Sequence, residues 1–514
     1  MGFTNNGEIK IPDAYSREGF HAINLKNHQW NTCIWEIESI AHDKIEEISF
    51  NVHRYGQELS GGEDLRFEIC DIRFQEAEYC NVVYGWQCRK NTAVYSTAGY
   101  FKNGVKTAVA NTEAKSFFIL DGNDDHVVYT GQVQEKRNHF GCFGVLDFTE
   151  VEKEGIYRIK VGEFISEKFQ ISDTVMEETV WKLVNFLFSE RCGYPVLQKH
   201  GVCHGDVTAR HNGLILAYQG GWHDAADVSQ QTIQSAEVTH ALLQTAHTVK
   251  ERNPRLYMRL MEEANWGLDF ILRMRFGDGY RATGATIRRW TDGWIGNMDD
   301  CEARVHNRSF DNFVMAGVEA YAGIMFAKED EALAWKCVEA AKEDYEFAAT
   351  RFSRIGLEEP YTKEHTASAS LSQYYGAAGW AASVLYKATK DEAYVDYLVE
   401  YIDKLLMCQE TDNEKLPIHG FFYRDESKKT IVHFSHQSRD HIFVQALHEA
   451  CTAVPRHSDR QKWETSMRLY GQYLQALAEY TAPYGMLPAG IFSETEVEDY
   501  ETFQLIHPKV DYER

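Results

Sequence analysis

The chain has 514 residues and a formal net charge of −24, long enough for two or three domains and too acidic to suit nucleic acid or an anionic membrane as partner. Apolar residues make up 44%, which supports large cores, and the 28 Tyr, 28 Phe and 11 Trp suit either those cores or stacking on sugar rings. No stretch approaches the roughly 18 uncharged residues of a membrane span, and the N-terminus has neither a basic n-region nor an apolar h-region, so the expected location is the cytoplasm.

Residues 1–172 read as strands. Ile34-Trp35-Glu36-Ile37, Glu47 to Val52 and Tyr157 to Val161 alternate or carry β-branched residues, and Ser60-Gly61-Gly62, Asp121-Gly122-Asn123-Asp124 and Glu154-Gly155 punctuate them. An antiparallel β-sandwich is expected, without a catalytic constellation. After Asp173 the period becomes helical. Val180, Leu183, Val184 and Leu187 share one face, and Leu256, Leu260, Ala264, Gly267, Ile271 and Met274 recur at steps of three and four. The spacing predicts nine helices near 174–190, 229–250, 255–274, 308–327, 331–352, 370–388, 391–408, 437–453 and 459–480. Thr389-Lys390-Asp391 is a hairpin-length loop, whereas 275–307 and 409–436 are long and are where a site is expected. Helical hairpins without a fixed repeat favour an α/α toroid over a solenoid.

The chemistry concentrates at Gly220-Gly221-Trp222-His223-Asp224-Ala225-Ala226-Asp227. Two carboxylates three residues apart, with alanines between, suit a pair in which one deprotonates a water and the other orients it. Asp227 also suits a plain N-cap for the following helix, and spacing alone leaves both open. Trp222, Trp290 and Trp294 are candidate sugar-stacking rings, with loop packing as the other reading. His433, His436, Arg439 and His441 form a candidate sugar-binding cluster ahead of a helix, and Tyr484 to Gly490 is a candidate cleft lining. Eleven scattered Cys suit a reducing compartment with mostly free thiols. Cys192, Cys203, His204 and His223 have the donor types of a structural zinc site, but their spacing is no zinc-finger signature. Asp292, Asp299, Asp300 and Glu302 read either as calcium ligands or as a solvated acidic loop. Neither a P-loop nor a Gly-x-Ser-x-Gly elbow is present.

The motif at 220–227 resembles the Gly-Gly-Trp-(Tyr/His)-Asp-Ala-Gly-Asp motif of glycoside hydrolase family 9, the family of many cellulases. Glu190-Arg191-Cys192-Gly193, Glu262 to Leu272 and Ala377 to Tyr394 are similar to further segments of that family. The resemblance implies an immunoglobulin-like domain over 1–172 and an (α/α)6 six-hairpin catalytic domain over 173–514. It implies inverting hydrolysis, with Asp227 as general base and Asp224 as the second carboxylate. It also implies a structural zinc on Cys192, Cys203, His204 and His223, and bound calcium. Trp222, Trp294, His436 and Arg439 are the expected substrate contacts. Ala226 stands where the family has glycine, and Val228-Ser229-Gln230-Gln231 departs from the cellulases, which puts a cellulose-type substrate in doubt. A short β-linked glucan or glucosamine oligosaccharide is expected. The family's general acid lies near the C-terminal end of its barrel. Here Glu494, Glu496, Glu498 and Glu501 lie in a run that does not match its motif, and nine helices stand against twelve. The expectation is a C-terminally incomplete toroid with exposed apolar edges on its first and last helices and very low activity. The alternative is a non-catalytic carbohydrate-binding relative; phosphorolysis or lyase chemistry on the same fold is the third reading.

Overall fold

The computed structural model of the chain describes residues 2–5, 25, 28–35, 37, 42–50, 66–76, 88–138, 141–224, 228–287, 290–358, 369–411, 418–432, 439–487 and 491. Strands β1 (Gly2–Asn5) and β2 (Ile45–Ser49) pair as an antiparallel ribbon. Next come β3 (Thr92–Val94), β4 (Thr107–Asn111), β5 (Ser116–Asp121), β6 (Val127–Gln132), β7 (Gln134–Asn138), β8 (Gly141–Asp147), β9 (Gly155–Val161), β10 (Phe164–Ile165) and β11 (Phe169–Ile171). They form two antiparallel sheets, β3-β4-β8-β7 and β10-β9-β5-β6, with β11 also paired to β9. Period-two alternation turns one face of a core-lining strand inward. On β9 it buries Tyr157, Ile159 and Val161, and the β5 register sets Phe117 opposite Val161 and Ile119 opposite Ile159. Leu146 and Phe148 close the core from the other sheet. The expected sandwich is present. Of the expected strands, Tyr157 to Val161 lies within β9 and Glu47 to Val52 is a strand only as far as Ser49, whereas Ile34, Trp35 and Ile37 are irregular. Ile34 is exposed, so among the described residues its alternation meets no second layer.

The helical part opens with α1 (Glu177–Ser189), followed by β12 (Val207–His211), β13 (Leu214–Ala217), β14 (Gln230–Gln231), α2 (Thr232–Val249) and α3 (Pro254–Arg273). Three short strands, β15 (Arg281–Ala285), β16 (Cys301–Glu302) and β17 (Arg304–His306), occupy the long loop expected at 275–307. The chain continues through α4 (Ser309–Phe326), α5 (Glu331–Ile355), α6 (Leu371–Thr389), α7 (Ala393–Met407), α8 (His441–Ala453) and α9 (Arg460–Tyr480). Each expected helical segment is therefore a helix. Local signals set several ends. Asn253 caps α3 through Leu256 N at 3.1 Å with Pro254 in its first turn, Ser370 and Gln373 form a capping box on α6, and Lys390 turns left-handed between α6 and α7.

Helices α2 and α3, α4 and α5, α6 and α7, and α8 and α9 pack as hairpins, while α2, α4, α6 and α8 pack in succession along an inner row. Of the inner helices, α4 is buried nearly all round, every residue but Ile324 and Met325. The outer α3 is amphipathic, and its buried stripe includes Leu256, Leu260, Ala264, Gly267 and Ile271. The inner row is curved. Arg439, just ahead of α8, reaches Glu237 on α2 (Nε–Oε1 2.6 Å), although α4 and α6 lie between those helices in the row. On α1, Leu183 and Phe186 are exposed, as expected of an apolar edge. The matching expectation for the last helix fails among the described residues: of the large apolar side chains of α9, only the terminal Tyr480 is exposed. The sandwich touches the end of α9 through Lys136–Glu479 at 2.8 Å, Asn138 Nδ2 to Ala482 O at 2.5 Å and an edge contact of Phe143 with Tyr484. Tyr484 is thus a contact between the sandwich and the helical part; residues 488–490 of the expected lining lie outside the described residues.

Candidate active site and metal-binding cluster

The 220–224 loop is built against the end of α1. Cys192 N donates to Gly221 O at 3.0 Å and His223 N to Glu190 O at 2.9 Å, a short antiparallel ladder with Arg191 opposite Trp222. Gly220 and Gly221 have φ of 127° and 62°, and a Cβ at Gly221 would meet Ser235 Oγ at 2.7 Å, so the turn needs glycine for conformation and for space. Side chains hold the loop's carbonyls: Gln230 Nε2 donates to Gly220 O at 2.7 Å, Trp266 Nε1 to Gly221 O at 2.8 Å and Arg273 to Gln219 O at 2.9 Å. Asp224 follows, half-buried, and its N–H donates to Ser229 O at 2.6 Å. Residues 225–227, with the expected base Asp227, lie outside the described residues. Trp222, expected to wall a sugar subsite, is buried: its indole N–H donates to Glu263 at 2.8 Å and its ring lies against Gly267. It anchors the loop from behind.

The opposite face of the ladder carries Cys192 and His223, which meet Cys203 and His204. All four are buried. Cys192 Sγ lies 3.4 Å from His204 Nδ1, Cys203 Sγ 3.5 Å from His223 Nε2, and the two ring nitrogens 3.3 Å apart. Burial pushes the Cys192 thiol well above its ordinary range. Hydrogen bonding from Cys192, with further hydrogen bonds from His204, His223 and Gly193 N, holds Cys203 far below that range. One thiol is therefore ready to ionise. Trp290 covers the cluster, stacked 4.9 Å over His200 and 5.7 Å over His204, and edge-on to His223. Its role is packing over the cluster, the second of its two readings.

The remaining candidates separate. Trp294 is 76% exposed on the 290–300 loop, free to stack on a ring from solvent. Arg439 is buried and bound to Glu237, so its guanidinium is engaged within the protein. His441 is the first residue of α8, while His433, His436 and Glu494, Glu496, Glu498 and Glu501 lie outside the described residues. Of the expected calcium set, Asp299 and Asp300 converge with buried Asp206. Asp292 instead accepts from Trp294 N and Asn297 Nδ2 at 2.8 Å, and Glu302 sits in β16 beside β12.

The model of glycosyl hydrolase family 9 matches residues 177–492, more than half of the chain. The chain belongs to glycosyl hydrolase family 9. The cellulase N-terminal immunoglobulin-like domain matches residues 95–166. Endoglucanase D of Acetivibrio thermocellus is 23% identical over 331 residues, 58% of this chain and 52% of its own length. The family 9 chain thus spans about half the length of the curated relatives it matches. A mutant of a thermostable endoglucanase from Alicyclobacillus acidocaldarius superposes with a TM-score of 0.56 at 19% identity, over 77% of this chain and 73% of that one. A zinc-binding triple mutant of a family 9 endoglucanase does so at 0.53 and 20% identity, over 75% and 73%. At these identities the structural likeness speaks for the fold alone.

For a family 9 protein the arrangement makes chemical sense. A loop ending on Asp224 is held on one face by a Cys/His cluster and on the other by a buried carboxylate. Three participants escaped sequence reasoning. Asp206 has no acidic neighbour in sequence, and its partners Thr291 and Gly293 lie more than eighty positions away. His200, whose Nδ1 is 3.9 Å from Cys203 Sγ, carried no motif of its own, and Glu263, although within the family-like segment Glu262 to Leu272, was not marked as a site residue. Only the three-residue step from His200 to Cys203 was available as a signal.

Proposed function

We propose that this family 9 chain hydrolyses β-linked glucan or glucosamine oligosaccharides by single displacement with inversion. The observation that carries the reading is the rigidly held 220–224 loop within a family 9 match. In this reading Asp227 takes the proton from the attacking water while Asp224 orients it. A carboxylic acid across the cleft, at the roughly 6.5–9.5 Å separation of inverting enzymes, protonates the leaving oxygen. Glu494, Glu496, Glu498 and Glu501 are the candidates for that acid in the sequence. Trp294, exposed at the loop edge, offers a stacking surface, and His436 with Arg439 would contact the sugar once Arg439 leaves Glu237. In this reading the sandwich over 1–172 precedes a catalytic domain over 173–514 whose curved inner row belongs to an (α/α)6-type toroid.

The Cys/His cluster fits zinc. Ligand bonds of about 2.3 Å to sulfur and about 2.0–2.1 Å to nitrogen give tetrahedral edges of about 3.3–3.6 Å between two nitrogens or a nitrogen and a sulfur, and the distances of those kinds here are 3.3, 3.4 and 3.5 Å. Cys192, Cys203, His204 and His223 would fill all four positions, so the ion serves structure and leaves no place for a reacting water. Asp206, Asp299 and Asp300 offer hard oxygen donors of the kind calcium takes.

Replacing Asp227 with Ala tests the reading. We expect turnover on cello- or chito-oligosaccharides to fall by about 10²–10⁴-fold, with the wild type releasing inverted anomer by proton NMR. The mismatch of the 494–501 run to the family's acid motif favours one other reading, a carbohydrate-binding relative. It predicts binding without turnover in both proteins.

A further inference from the structure

The ladder between 190–192 and 221–223 has two faces, and the Cys/His cluster occupies one. On the other, Arg191 and Trp222 converge on a single carboxylate. Glu263, on α3 with no exposed surface, accepts Arg191 Nε at 3.0 Å, a second Arg191 nitrogen at 2.8 Å and Trp222 Nε1 at 2.8 Å. A guanidinium nitrogen of Arg259, one turn back on the same helix, lies 2.8 Å away. Burying a carboxylate fully is costly unless its oxygens are satisfied by charge and hydrogen bonds, and here both are. A group that served only to tie the end of α1 to α3 would need Arg191 alone. The indole bond does something more specific: it sets the orientation of Trp222, whose backbone neighbours are His223 of the cluster and, next along, Asp224. The residues alternate, Arg191 and Trp222 towards the carboxylate, Cys192 and His223 towards the cluster. Loosening one face of so short a ladder therefore moves the other.

We infer that Glu263 is a positioning residue for the base loop, acting through Trp222 and Arg191, and that the ladder couples it to the metal affinity of the Cys/His cluster. Its effect on turnover rests on the hydrolase reading; its effect on metal binding does not.

The test uses the full chain as Glu263→Gln and Trp222→Phe, with Glu262→Gln as control. Glu262 is exposed and lies 3.8 Å from Arg191, so it removes a nearby carboxylate without touching the indole bond. Co²⁺ affinity is read from cobalt–thiolate absorption in competition with a chelator, and kcat and KM are measured on an oligosaccharide. Both test variants should weaken Co²⁺ binding by about ten-fold or more, the range seen when groups behind metal ligands are removed. They should also lower kcat with KM little changed, and the control should match wild type in every measure. Should Glu263→Gln fail to fold, Trp222→Phe decides, because it keeps the Arg191 pair while removing the indole N–H, together with the part of the ring that packs on Gly267. A lower melting temperature with unchanged Co²⁺ affinity and unchanged kcat in Trp222→Phe overturns the inference. If the wild type does not turn over, the hydrolase reading fails and the cobalt measurement alone decides: unchanged affinity overturns the inference, weakened affinity supports it.

Discussion

His223 and Trp222 are neighbours in sequence and face opposite ways, one into a cluster of thiols and imidazoles, the other onto a buried carboxylate. The four cluster residues were legible because their donor types suit one ion and the family resemblance pairs them. Trp290, which lies over them, was not legible as a packing ring, because an aromatic in a loop has the same letter whether it stacks on a sugar or on histidines. If the cluster holds zinc, a strong chelator should lower the melting temperature of the wild type and not that of Cys203→Ser. Zinc at a thousand times its dissociation constant should add about 4 kcal/mol of stability, measurable as the shift of the denaturation midpoint. Trp294→Ala should leave stability within about 0.5 kcal/mol, as exposed substitutions do, yet raise KM several-fold on oligosaccharides. Unchanged KM would remove Trp294 from the substrate site.

At the scale of elements, α3 shows how a helix doubles as a support for the site. Its apolar stripe was readable from spacing. What spacing could not tell is why Gly267 sits in the middle of that stripe. A Cβ there would meet Thr239 Oγ1 at 2.2 Å and the Trp222 ring at 2.4 Å, so glycine lets α2 and the loop ring press against α3. Gly267→Ala should destabilise by about 1–3 kcal/mol through overpacking, despite the better helix propensity of alanine, and a urea melt checks the sign. A stabilised variant would show that the close approach is not real. Strands were less legible than helices. Ile34 to Ile37 has the right letters, but a strand needs a partner that local sequence does not name.

Over the whole molecule, the curved inner row buries titratable groups that helical periodicity placed on its inward faces. His240 on α2 packs edge-on against Tyr321 of α4 and Trp380 of α6. Burial, with His441 nearby, pushes its pKa down to about 4. The unfolded chain titrates this histidine near 6.5, so between the two values the unfolded state binds the extra proton. Its contribution is complete above about pH 6.5 and is lost as pH falls towards about 4, a cost of about 3 kcal/mol. Urea midpoints at pH 7 and pH 4.5 should differ accordingly, and His240→Gln should shrink the difference. An equal loss in both proteins would assign the acid sensitivity elsewhere.

Sequence by itself determined what repeats locally: strand period before residue 172, helical period after 173 and the short turn at Lys390. It also determined the family, because the 220–227 motif is contiguous. Only the tertiary structure decided which face each aromatic and carboxylate takes. It turned Trp222 inward to Glu263, laid Trp290 over the histidines, brought Asp206 to Asp299 and Asp300, and tied Arg439 to Glu237 across the row. These contacts join residues tens to hundreds of positions apart. A side chain's direction there is set by which element packs beside it, and no local period records that.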